Sequence, residues 1–327
     1  MDVRGVFSFL VILKEAFKCI PKNGKLLGLV ALLSFLLSVI TYVAFDFSLL
    51  GLAQDTVSLA KSFLTRSSSF NASDPSWFTP SLSTPSRLQD EYDHMRQIIA
   101  ITFAVEIAFP FILLIIFFFT TIATILIAAV STTGNTLSIK DLFSRVAGTW
   151  TKPFLTSIYV SIHSLGFFPI LVIFAVPVFL YPNIVTAIIS IFLAIVVFLF
   201  YLYLVAIWAL AIVVSVVEEG CYGMVAMGKA SELAKGQRLN GYMLSLFFFL
   251  LNLIIALVYL KIPGNTIPSS SLVYVLLLEI LATLVSIYQM VAYTVLYFHC
   301  KKQHGEEAEI DIGVNKYTLL PTTYPVH

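Results

Sequence analysis

The sequence predicts an all-α, polytopic membrane bundle of six transmembrane helices with interfacial amphipathic helices. Three observations carry that expectation. Hydrophobic residues make up 59% of the 327-residue chain and charged residues 11%, with 28 Phe, whereas a soluble chain carries about 25% charge and about 45–50% apolar residues. Mean hydropathy is +0.96. Six apolar stretches reach the roughly 20 residues needed to cross about 30 Å of hydrocarbon. Backbone in lipid must satisfy its own hydrogen bonds, so each stretch reads as a helix. This composition excludes a soluble enzyme, a nucleic-acid binder and a disordered scaffold. A net charge of +1 offers no global field to an acidic partner.

Taken in order, the apolar run Val6–Leu13 is short, meets Lys14 at once and has no small-residue cleavage site. It reads as an amphipathic N-terminal helix and not as a signal peptide. The spans fall at 26–45, 98–130, 154–180, 184–217, 243–260 and 272–298. Pro110 predicts a kink in the second. The fourth has no Gly or Pro and predicts one long helix that tilts or projects. Between the first two spans, Leu49, Leu52, Val57, Ala60 and Phe63 recur at helical spacing, predicting an amphipathic helix lying on the outer surface. The Ser-rich stretch 67–86, broken by Pro75, Pro80 and Pro85, predicts an exposed loop. Residues 1–300 therefore read as one membrane domain and 301–327 as a flexible cytosolic tail.

With the N-terminus inside, the cytosolic segments hold 14 Lys/Arg and the opposite side 5, which places both termini in the cytosol. The sequon at Asn71 then lies in the outer loop, a candidate glycosylation site of a secretory-pathway protein in the endoplasmic reticulum or plasma membrane. Three cytosolic segments, 16–22, 147–153 and 234–238, each end in a basic elbow before a pair of spans, a weak threefold repeat.

The third of these regions carries a motif. Glu218 and Glu219 close the long fourth span. Gly223, Ala226, Ala230 and Ala234 then form a ridge of small residues, followed by Ser231, Leu233 and the exit at Gly236. Small residues three or four apart let another helix approach closely, and Gly236 suits a helix C-terminus that must turn back into the bilayer. With six spans and an N-terminal amphipathic helix, this pattern resembles uncharacterised plant six-span integral membrane proteins. More distantly it is similar to the membrane domain accompanying glycerophosphodiester phosphodiesterases and to related bacterial inner-membrane proteins. The resemblance implies a helical membrane module without phosphodiesterase activity. On the matching residues, Glu218, Glu219, Gly223, Ala226, Ser231, Leu233 and Gly236, it implies a role in packing the elbow helix.

Ionisable groups inside spans are costly and mark sites by default. Glu106, with Pro110 unable to donate to its carbonyl, and Glu279 read either as a polar cavity or as carboxyls bonded to a neighbouring helix. His163, near Ser161 and Ser164, reads as an interhelical partner before a proton relay. Cys19, Cys221 and Cys300, beside membrane ends, are palmitoylation candidates or small apolar residues. His299 and His304 around Cys300 and Lys301 read as a solvated juxtamembrane end. Tyr317–Leu320 has the form of a tyrosine-based sorting signal. Nucleophile-elbow, zinc-protease, phosphate-loop and dinucleotide motifs are absent from the sequence. No cofactor, metal or nucleic acid is expected. The partners expected are membrane lipids and other membrane proteins. The leading reading is a non-enzymatic protein that organises them through its cytosolic helices. The alternative is a transporter or channel using Glu106, Glu279, His163, Asn252 and Gln289, and an intramembrane lipid enzyme stands third.

Overall fold

The computed structural model describes residues 3–68, 84–132, 137–180, 183–261, 269–305, 310–312 and 315–317. The described chain is helical apart from one short antiparallel ribbon in the tail. The helices are α1 (Val3–Lys22), α2 (Gly24–Ser68), α3 (Thr84–Thr132), α4 (Ile139–Thr149), α5 (Thr151–Leu180), α6 (Ile184–Val217), α7 (Met224–Leu233), α8 (Arg238–Leu260) and α9 (Ser269–Gln303). In the ribbon β1 (Ile310–Ile312) pairs with β2 (Asn315–Tyr317).

Among the described residues, five helical segments are long and apolar enough to cross a membrane. They are Gly24–Phe45, Met95–Thr132, Ile184–Val217, Arg238–Leu260 and Val273–Gln303. The stretch expected as the third span, 154–180, lies within α5, a continuous helix of 30 residues.

Two expectations change at the level of elements. The amphipathic helix expected to lie on the outer surface is not a separate element. It continues the first span as α2, 45 residues without a break, because 46–68 contains no proline and only Gly51 as a weak helix former. Likewise the helix of the second span starts at Thr84, well before residue 98, and runs on through Pro110 for 49 residues. The sequon at Asn71 and Thr318–Leu320 of the sorting signal lie outside the described residues.

The chain forms two compact units: Leu36–Phe117, and Met1–Phe35 together with Phe118–His327. In the smaller unit Phe45 of α2 meets Phe109 of α3, with ring centroids 5.3 Å apart. In the larger unit the core is centred on the last turns of α6. Ala206, Leu210, Ala211, Val213 and Val214 are buried there with Ile125 of α3, Phe248 of α8, and Tyr293 and Leu296 of α9. The Tyr293 hydroxyl is bonded to Ser245 Oγ across α8 and α9 at 2.8 Å.

The three amphipathic segments expected near the cytosolic ends are helices. In α1, Ile12, Leu13, Ala16 and Cys19 are buried, while Lys14, Phe17, Lys18 and Lys22 are exposed. The turn into α2 is fixed by Asn23, whose carbonyl accepts from Leu26 and Leu27. Its side-chain amide donates to Ser131 Oγ of α3 at 2.8 Å.

Candidate functional site

Apolar side chains gain little by moving from lipid to a neighbouring helix, so close packing and interhelical hydrogen bonds are what join helices within a bilayer. In the larger unit these contacts gather at one end. Ser131 near the end of α3 holds Asn23. Thr156 of α5 accepts from the backbone of Gly223 at 2.9 Å. Gln237, preceding α8, donates to Gln303 of α9 at 2.8 Å. Asn240 of α8 donates to Ser8 of α1 at 3.2 Å, Tyr288 of α9 donates to the Leu13 carbonyl at 2.9 Å, and Glu15 of α1 pairs with His299 of α9.

Glu218 is the centre of this seam. It caps α6 with extended backbone, φ −103° and ψ 135°, and its N–H closes the last turn on Val214. Its side chain is only 8% exposed. Tyr297 donates to Oε1 at 2.6 Å, Lys229 of α7 sits 2.6 Å from Oε2, and Lys301 sits 3.3 Å from Oε1. The Lys301 ammonium also lies 5.9 Å from the centroid of the Tyr297 ring. One carboxylate thus joins α6, α7 and α9. Burial pushes its pKa up. The hydrogen bonds from Lys229 and Tyr297, with the charges of Lys301 and Lys229, outweigh burial and hold the carboxyl below its ordinary value.

The link from Glu218 to α7 requires glycine twice. Gly220 has φ 77° and Gly223 φ 61°, a region that residues with a Cβ rarely enter. A Cβ on Gly223 would also stand 3.1 Å from the Tyr159 ring. The tight turn therefore brings α7 back beneath α6, where Ala226, Ala230, Leu233 and Ala234 are buried. Gly236 serves differently from the expectation. Its φ is ordinary, and the space a Cβ would occupy holds the Gln303 amide, 2.9 Å away.

Of the remaining motif residues, Glu219 is exposed and Ser231 half-exposed. The end expected to be solvated around Cys300 is so at Lys302 and His304, which are exposed, but not at its two central residues. Lys301 is 7% exposed and Cys300 is fully buried, because the last turn of α9 lies against the Glu218 node. Cys19 is buried on the packed face of α1, and Cys221 is half-exposed beside Glu218. Burial raises the Cys19 thiol. Burial first, then the Glu218 carboxylate, raises that of Cys221.

Among the described residues of the larger unit, the intramembrane candidates do not form a comparable cluster. His163 is exposed and its Nδ1 contacts the Tyr159 carbonyl of its own helix at 2.8 Å. Asn252 bonds the Phe248 carbonyl one turn back. Glu106 is exposed in the smaller unit, and Glu279 is half-exposed on α9. Sequence reasoning missed Tyr297, Lys229, Lys301 and Thr156. Glu218 and Lys301 stand 83 positions apart, and no local signal connects them.

No curated protein and no solved structure matches this chain. A family model described as a domain of unknown function, DUF8558, matches residues 5–313, and the chain belongs to that family.

Proposed function

We propose that the protein is a non-enzymatic integral membrane protein that organises lipids or partner membrane proteins through helices α1, α4 and α7 at the seam end of the larger unit. In this reading α5 completes six spans, that end faces the cytosol with both termini, and the protein resides in the endoplasmic reticulum or plasma membrane. The outer face of α1 carries the proposal. Phe17 is 68% exposed between Lys14, Lys18 and Lys22, a basic strip with an aromatic wedge suited to anionic headgroups. The opposite face of α1 is docked on α8 and α9, so the strip is presented by a fixed element. Phe143 on α4 and Met224 and Val225 on α7 are exposed in the same manner. The relationship to the membrane domain found beside glycerophosphodiester phosphodiesterases belongs to this reading and supplies no activity.

A photoreactive amino acid placed at Phe17 tests the proposal. In native membranes it should yield discrete lipid or protein adducts. In nanodiscs, adducts with phosphatidylserine should exceed those with phosphatidylcholine, and Lys14→Glu with Lys18→Glu should remove the preference. Unselective labelling that these charge reversals leave unchanged would sink the idea. His163 and Asn252 lend the transporter alternative no support, since both are bonded within their own helices.

A further inference from the structure

A second feature of the larger unit is independent of the basic strip. Helices α5, α6, α8 and α9 line an open trough of about 830 Å³, inside the range of about 300–1,000 Å³ usual for small-molecule sites. It is long: Val197 and Ile212 both line it, so it follows α6 for about 23 Å. Phe167, Tyr201 and Trp208 build one wall, with the Tyr201 and Trp208 centroids 5.8 Å apart and edge to face. Phe198 and Phe249, 4.8 Å apart, build another.

Beside the Tyr201 hydroxyl and the Trp208 indole N–H, the polar side chains that enter this apolar lining are Ser161 and Ser164 from α5 and Gln289 from α9. Elsewhere in the bundle Thr124, Ser131, Ser215 and Thr294 turn their hydroxyls back onto carbonyls of their own helices. Ser161, Ser164 and Gln289 carry no hydrogen bond to any other described residue. In hydrocarbon an unsatisfied hydroxyl or amide is costly, so these groups call for a polar atom inside the trough. Among the described residues no acidic or basic side chain lines it, which leaves a phosphate or carboxylate without a counter-charge. Serine hydroxyls and a carboxamide both donate and accept, matching an alcohol.

We infer that the trough binds one uncharged long-chain lipid bearing a hydroxyl group, its hydrocarbon along the aromatic walls and its hydroxyl held between Ser161, Ser164 and Gln289. The inference goes beyond the proposed role of α1 and stands or falls separately.

The test uses the full chain in nanodiscs with two photoreactive probes, diazirine-tagged hexadecanol and hexadecyl phosphate carrying the same tag. The alcohol should label peptides covering 160–167 and 197–212 saturably, and excess plain hexadecanol should displace it. The phosphate should label these peptides weakly and compete poorly. Gln289→Leu should weaken the alcohol about threefold to tenfold, the span of single interhelical hydrogen bonds in membranes. Ser164→Leu, at a half-exposed position, should act in the same direction, with the melting temperature of the variant measured beside it. Labelling that does not saturate, or that is equal for the two probes and indifferent to both substitutions, would show an ordinary lipid-facing surface and overturn the inference. The phosphatidylserine preference at Phe17 would be untouched by that result.

Discussion

Glu218 takes in one carboxylate what three separate helix contacts would otherwise supply. Glu218→Gln should lower stability by about 1.5–3 kcal/mol, the range for hydrogen bonds to charged groups, because Lys301 stays buried without its counter-charge. The pH dependence has a definite sign. The folded carboxyl titrates below its ordinary value, near 4.3 for an unfolded Glu. Its contribution is therefore complete above about pH 4.3 and is lost as pH falls through the lower folded value. Melting in detergent should drop more steeply below pH 4.3 for the parent chain than for Glu218→Gln, and parallel curves would contradict the role given to the node. Glycines separate in the same way. Gly223→Ala meets both a positive φ and the Tyr159 ring and should cost about 1–3 kcal/mol. Gly228, inside α7 with open space at its Cβ position, should gain about 0.5–1 kcal/mol on conversion to Ala. Among the cysteines, Cys221 alone should react with maleimide in the native protein, faster as pH rises because its thiol is held up. Cys19 and Cys300 should require unfolding. Much of this was readable in part. An acidic residue ending a 34-residue apolar helix marks itself, but its partners on α7 and α9 become visible only when distant segments pack.

At the scale of elements, α7 is the piece whose sequence and placement agree best. Its spacing of alanines announces a flat face, and Ala226 and Ala230 are fully buried against the bundle. Ala230→Leu should overpack that contact and destabilise by about 1–3 kcal/mol, whereas Val225→Ser on the exposed face should leave melting unchanged. A melting loss at position 225 instead would reverse the assignment of faces. The limits of α2 and α3 were harder to read. Hydropathy marks where a helix can enter lipid, and it is blind to a polar continuation of the same helix. Residues 46–68 have helical periodicity whether or not a break precedes them, and periodicity alone does not distinguish the two cases. The ends of the other spans were clearer because Pro, Gly or Asn punctuates them, as Asn183 does by accepting from Val185 at the start of α6.

For the molecule as a whole, composition alone was sufficient for the class. The seam contacts add what composition lacks, by bringing the ends of α3, α6 and α9 together with the starts of α5 and α8. That pattern requires α3, α5, α6, α8 and α9 to alternate in direction, and it places α1 beside the end of α9. Epitope tags at the two termini should thus show the same protease sensitivity in sealed vesicles, and opposite sensitivities would break the proposed topology. The exposed face of α1 was legible as an amphipathic pattern. The trough was not, because its polar members come from helices far apart in sequence and each looks like an isolated residue in an apolar run.

The unbroken lengths of α2 and α3 bear on how their polar parts form. The helices have 45 and 49 residues, of which Gly24–Phe45 and Met95–Thr132 are the apolar parts. Starting a helix is the costly step and extending one is not. The polar remainders, 46–68 and 84–94, therefore inherit a helix already begun in the apolar part and need no nucleus of their own.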